Sequence, residues 1–102
     1  MIKCKALNGL YFNFTHTEAL SLAGMMEGLS SELALEIAIE TMAASAALLK
    51  EIKVPSLLKE RVTSPKGTTQ AALSVFSENN NLANLIQAAV ESAVERSREL
   101  SY

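Results

Sequence analysis

From residue 10 onward the apolar positions recur at the three-and-four spacing of helices, and the alternation that marks a strand is nearly absent. Five helices account for the pattern. The first spans residues 10–26, with Tyr11, Phe12 and Phe14 as its ambiguous start, and Gly28 stands where glycine closes a helix in the left-handed conformation. Gly24 lies inside this helix, where a glycine costs roughly 0.5–1 kcal/mol relative to alanine. Either another backbone passes close by or the cost is tolerated. Ser30 is the N-cap of a second helix that runs to about residue 52, with Glu32 near the positive end of its dipole. A third helix, residues 56–62, follows Pro55, whose missing N–H is no loss in a first turn. Residues 63–69 form a polar break. A fourth helix carries Ala71, Ala72, Leu73, Val75 and Phe76, and Asn79, Asn80 and Asn81 stop it. In the fifth, Leu82, Ile86, Val90, Ala93 and Val94, with Leu85, Ala89 and Leu100, share a face opposite Gln87, Glu91, Glu95 and Arg98. The expected fold is all-α, a single helical domain over residues 1–102.

The second helix departs from ordinary amphipathicity. Its acids Glu32, Glu36 and Glu40 form a narrow stripe, while Leu33, Leu35, Ile37, Ile39, Met42, Leu48 and Leu49, with alanines between them, point in most other directions. A helix apolar nearly all round must be covered on several sides. Composition sharpens the point: 49% of the residues are hydrophobic, 20% are charged and none is Trp. A domain of this size buries only around two-thirds of its unfolded-chain surface, so much of that apolar area needs cover from outside the chain. A second copy is the expected source, giving a homodimer or a higher oligomer.

Charge and termini exclude several function classes. A net charge of -2, with nine Lys and Arg scattered rather than clustered, gives no electrostatic surface for nucleic acid. The longest nearly apolar run, residues 42–49, is far shorter than the ~20 residues that span a bilayer, so no membrane partner is expected. Asn8, Asn13 and His16 interrupt any secretory core near the amino terminus, which places the chain in the cytoplasm. Cys4 is the only cysteine, so neither an internal disulfide nor a multi-cysteine metal site can form.

Candidate chemistry concentrates in the polar break, where Thr63, Ser64, Gly67, Thr68 and Thr69 precede or open the fourth helix. The first N–H groups of a helix lack internal partners and carry the positive end of its dipole, so a small carboxylate can bind there. Gly67 permits close approach, Ser64, Thr68 and Thr69 offer hydroxyl donors, and Pro65 holds Ser64 extended. An ordinary capped loop uses the same residue types. His16, the only histidine, has no ligand constellation around it and reads as a helix-surface or partly buried residue. The glutamate stripe reads as a solvated face rather than a divalent site, and Met25, Met26 and Met42 as adaptable core filler. No catalytic residue and no metal site is expected.

The run Ser64-Pro65-Lys66-Gly67-Thr68-Thr69, preceded by Arg61-Val62-Thr63, resembles the carboxyl-terminal signature of the pyrroline-5-carboxylate reductase family, and so do Ala88-Ala89-Val90-Glu91-Ser92-Ala93 and Glu95-Arg96-Ser97-Arg98-Glu99-Leu100 further on. Upstream, Glu18-Ala19-Leu20, Ala23-Gly24, Gly28-Leu29, Glu32-Leu33-Ala34 and Glu36 resemble the preceding helices of the same domain, so the similarity runs from about Ala6 to Leu100. The resemblance implies an interlocked helical-bundle homodimer in which Ser64, Gly67, Thr68 and Thr69 hold the carboxylate of pyrroline-5-carboxylate or proline. It also implies the family reaction, NAD(P)H-dependent reduction of 1-pyrroline-5-carboxylate to L-proline in proline biosynthesis. In the family a separate amino-terminal Rossmann domain supplies NAD(P)H. Nothing in this chain resembles that domain, so the chain is expected to bind no cofactor and to be inactive as an oxidoreductase by itself. The alternative is a non-catalytic helical homodimeric interaction module that kept the fold and lost the ligand site. Lys66 stands where the family usually has a second glycine, and only Gly9 is kept in place from the family's Ser-Gly-Ser-Gly-Pro-Ala-Tyr opening.

Overall fold

The computed structural model describes residues 9–63 and 67–100. They form helices α1 (Leu10–Met26), α2 (Ser31–Ile52), α3 (Pro55–Val62), α4 (Thr68–Ser77) and α5 (Asn81–Leu100), with a 3₁₀ turn at Glu78–Asn80. No strand occurs among the described residues, so the all-α class is as expected. The chain divides into two compact units, with the boundary between Leu58 and Lys59 inside α3.

The first unit is built on the α1–α2 hairpin. Its turn follows from three residues. Gly28 has φ of 109°, a backbone that side chains rarely adopt, and its N–H donates to the Met25 carbonyl at 3.0 Å while the Leu29 N–H donates to that of Gly24 at 3.1 Å. That pair of bonds is the Schellman closure of a helix, and it satisfies carbonyls that α1 would otherwise leave open. Ser30 then caps α2: its Oγ accepts from the Leu33 N–H at 3.2 Å, with the backbone extended at φ -65°, ψ 157°. The two helices meet over small residues. A Cβ placed on Gly24 would lie 3.3 Å from Leu29 Cδ1 and 3.4 Å from Ala34 Cβ, so the close approach allowed by the interior glycine is that of α2. Ala34 and Ala38, one turn apart, are the buried hydrophobic residues, at 3% and 1% exposure.

α2 ends at Lys53, which takes the left-handed conformation at φ 60° while its N–H donates to the Leu49 carbonyl at 2.9 Å. Pro55 opens α3 one residue earlier than expected. The Val54 carbonyl accepts from Leu57 and Leu58 at 3.1 and 3.2 Å, and proline at the first helical position forfeits no bond.

In the second unit α4 packs against α5. Leu73 on α4, and Leu82, Ile86, Val90, Ala93 and Val94 on α5, are half-buried, whereas Leu85 and Leu100 of the expected apolar face remain exposed. The joint between the helices rests on asparagines. Asn79 and Asn80 both have positive φ, 54° and 55°, and asparagine tolerates that region better than most residues. Asn81 does not belong to the break: at φ -54°, ψ -50° it is already helical and is the first residue of α5.

Candidate functional site

The expected ligand loop runs into the amino terminus of α4. Gly67 is its N-cap at φ -87°, ψ 174°, an extended backbone that any residue can adopt, and its carbonyl accepts the Ala71 N–H at 3.2 Å. Conformation therefore does not require glycine at this position. Having no side chain, Gly67 contributes no cap hydrogen bond, and the first turn of α4 carries no acidic residue. Thr68 and Thr69 follow as the first two helical residues, exposed and half-buried respectively. Three of the four expected carboxylate-binding residues, Gly67, Thr68 and Thr69, thus sit together at the positive end of a ten-residue helix dipole with no competing carboxylate in that turn. Ser64 lies outside the described residues, as do Pro65 and Lys66.

A second feature belongs to the hairpin. Along one flank of the α1–α2 seam runs an open groove of about 780 Å³ walled by Leu10, Phe14, Leu22, Leu35, Ile39 and Met42. Its apolar walls are far from covered: Phe14 is 69% exposed, Leu22 56% and Ile39 50%. The other flank is smaller and more polar, about 200 Å³, lined among others by Phe12, His16, Thr41 and Ser45. Here Phe12 and His16 stack with ring centroids 6.4 Å apart, and Ser45 Oγ donates to the Thr41 carbonyl at 2.8 Å. His16 is exposed on the helix surface, stacked on a phenyl ring rather than set among ligand groups.

The α1 share of the large groove escaped the sequence reading, which assigned association to the circumference of α2. Its signal was present. Leu10, Phe14, Thr17, Ser21 and Leu22 fall on one stripe of α1 at helical spacing. On α2, Glu32, Glu36 and Glu40 are exposed beside Leu35 and Ile39. Among the described residues there is no group of three or more histidine, cysteine or acidic side chains able to hold a metal ion. No helix of these residues is long and apolar enough to cross a membrane.

Comparison with known proteins relates the chain to a family. Residues 6–100 match the family model described as pyrroline-5-carboxylate reductase dimerisation. The chain is 40% identical over 95 residues to pyrroline-5-carboxylate reductase of Arabidopsis thaliana, covering 92% of this chain and 34% of that protein. It is 46% identical over 72 residues to the reductase of Aquifex aeolicus, covering 70% and 27%, and 40% identical over 96 residues to that of Pseudomonas aeruginosa, covering 92% and 34%. The chain spans about a third of the length of these curated relatives. With the family model covering all but the first five and last two residues, this chain belongs to the pyrroline-5-carboxylate reductase dimerisation family.

Proposed function

We propose that this chain supplies two things to a pyrroline-5-carboxylate reductase: the helical contact between two copies, and a half-site that holds the carboxylate of 1-pyrroline-5-carboxylate or L-proline. The observation that carries the reading is α2, a helix of 22 residues rich in Leu, Ile and Ala in which Ala34 and Ala38 alone are buried. Leu33, Leu35, Ile37 and Ile39, on successive sides of that helix, are each 44 to 50% exposed. Burying such a side chain fully is worth about 1.5–3 kcal/mol, so leaving this many in water is a large unfavourable term that association removes. Because the folded state then contains two chains, thermal unfolding should depend on protein concentration. The melting temperature is expected to rise across a hundredfold concentration series, and one that stays fixed would contradict a dimer.

The carboxylate half-site rests on the α4 terminus, where Gly67, Thr68 and Thr69 offer N–H and hydroxyl donors to an anion. Titrating L-proline into isotopically labelled protein should shift the resonances of residues 64–69 selectively. No response at millimolar L-proline would favour the second reading, a helical homodimeric interaction module that retained the fold without the ligand. Lys66 in place of the family's second glycine supports that second reading.

The described residues do not fit a dinucleotide. They contain no strand leading through a glycine-rich turn into a helix, the arrangement that holds a pyrophosphate. NAD(P)H, which the family reaction requires, is therefore assigned to none of the described residues. Reductase activity from the chain alone is not expected, and saturable NADPH binding by it would overturn that assignment.

A further inference from the structure

We infer that the joint between α4 and α5 is a two-state hinge governed by Asn79 and Asn80: bent as in the structure, or straight, with residues 68–100 in one helix. The other helix breaks of the chain are enforced by residue type. Gly28 lies between α1 and α2, Pro55 opens α3, and Pro65 and Gly67 lie between α3 and α4. Residues 68–100 contain neither glycine nor proline, so no residue type interrupts the helix there. Two backbones do. Asn79 and Asn80, at φ 54° and 55°, stand in the left-handed region, which costs an L residue free energy relative to the right-handed helix. Residues held that way persist only where their surroundings fix them, and they gather at segments that switch.

Little fixes this bend. Neither α4 nor α5 contains a buried residue, and Leu73 and Ile86 are half-buried. The hydrogen bonds of the joint itself are slight. Asn84 Nδ2 donates to the Asn79 carbonyl at 3.2 Å. The Asn81 N–H donates to the Glu78 carbonyl, three residues back, where a continuous helix would use that of Ser77. Straightening gives up the partial cover of α4 on α5, and it restores two relaxed backbones and the four-residue bonds across the joint. The consequence falls on Gly67, Thr68 and Thr69, at the end of α4 far from the joint. α4 is about 15 Å long, so, on the carboxylate reading above, the two states hold that half-site at different distances from α5.

Two measurements on the full chain test this. For the first, spin labels are placed on Ala71→Cys and Glu91→Cys, both exposed positions, in a Cys4→Ser background diluted with unlabelled chain. Asn79→Ala together with Asn80→Ala removes the tolerance of the left-handed region, and the label distance should lengthen to about 30 Å, twenty residues at 1.5 Å each along one helix. Helical circular dichroism should rise with it. Asn79→Gly together with Asn80→Gly should keep the shorter distance of the bend. Paired alanine substitutions that leave the shorter distance unchanged overturn the hinge. The second measurement needs no variant: carbon relaxation dispersion of the unaltered chain should show Asn79 and Asn80 exchanging with a minor state, on the order of 1% populated, whose Cα shifts are those of a right-handed helix. Absence of that exchange overturns the hinge even where the alanine variant fails to fold. Neither measurement contains L-proline, so a rigid joint leaves the carboxylate reading standing, and a failed L-proline titration leaves the hinge.

Discussion

Gly24 and Gly28, four residues apart, do different work, and substitution separates them. At Gly28 the demand is conformational: φ is 109° and a Cβ there would meet nothing within 4 Å. Gly28→Ala is expected to cost about 1–2 kcal/mol by strain alone, read as a lowered urea midpoint. At Gly24 the demand is spatial. A methyl group presses on the movable end of Leu29 and reaches Ala34 Cβ at ordinary contact distance, while alanine regains roughly 0.5–1 kcal/mol of helix propensity. Gly24→Ala should therefore fall within about 1 kcal/mol of the parent, whereas Gly24→Leu should cost about 1–3 kcal/mol by forcing α1 and α2 apart. Equal losses for the two alanine variants would show that this division is wrong. The turn closure at Gly28 was legible from residue type, because few other residues end a helix that way. The role of Gly24 was not, since it depends on where α2 lies. Nor was the left-handed Lys53, as lysine carries no signal for positive φ. Lys53→Gly is accordingly expected to stabilise the chain by about 1 kcal/mol, measured by the same denaturation.

At the scale of elements, the caps and the prolines explain why the expected boundaries fall within a few residues of those observed. Ser30 stops the backbone of the turn from continuing into α2 and accepts the Leu33 N–H, and Ser30→Ala should lower stability by about 1 kcal/mol. The helix α4 takes in the last two residues of the expected polar break, because Thr68 and Thr69 look like loop residues by composition yet are held in helix. That shift matters for the candidate site: it moves two of the four expected ligand residues from a loop onto a helix terminus, where their N–H groups share the dipole. Asn81 was misread for the related reason that asparagine reads as a breaker whether it ends one helix or begins the next. The α4–α5 pair also illustrates how an amphipathic face can be right in periodicity and incomplete in burial. Leu85 and Leu100 lie on the predicted side of α5, yet they are 69% and 59% exposed in a single copy. The exposed ion pair between Arg96 and Glu99, at 3.0 Å, adds little in such a setting, and Arg96→Ala should leave the melting temperature unchanged.

At the scale of the molecule, the unusual quantity is apolar surface without cover. A helix such as α2, apolar on most sides and buried only at two alanines, is not what a free-standing domain of this size presents to water. The sequence already pointed to this imbalance through the directions taken by Leu33, Leu35, Ile37 and Ile39. What it did not reveal is that the two flanks of the hairpin differ, because the distinction between them needs α1 and α2 in place. Carboxylate binding is a separate claim, carried by the α4 terminus, and its success or failure does not bear on association. Association itself is tested most directly by sedimentation equilibrium of the unaltered chain at micromolar concentration. A dimer gives a single species of twice the 11.0 kDa chain mass, retaining its helical circular dichroism. A well-folded species of 11.0 kDa at that concentration would contradict it.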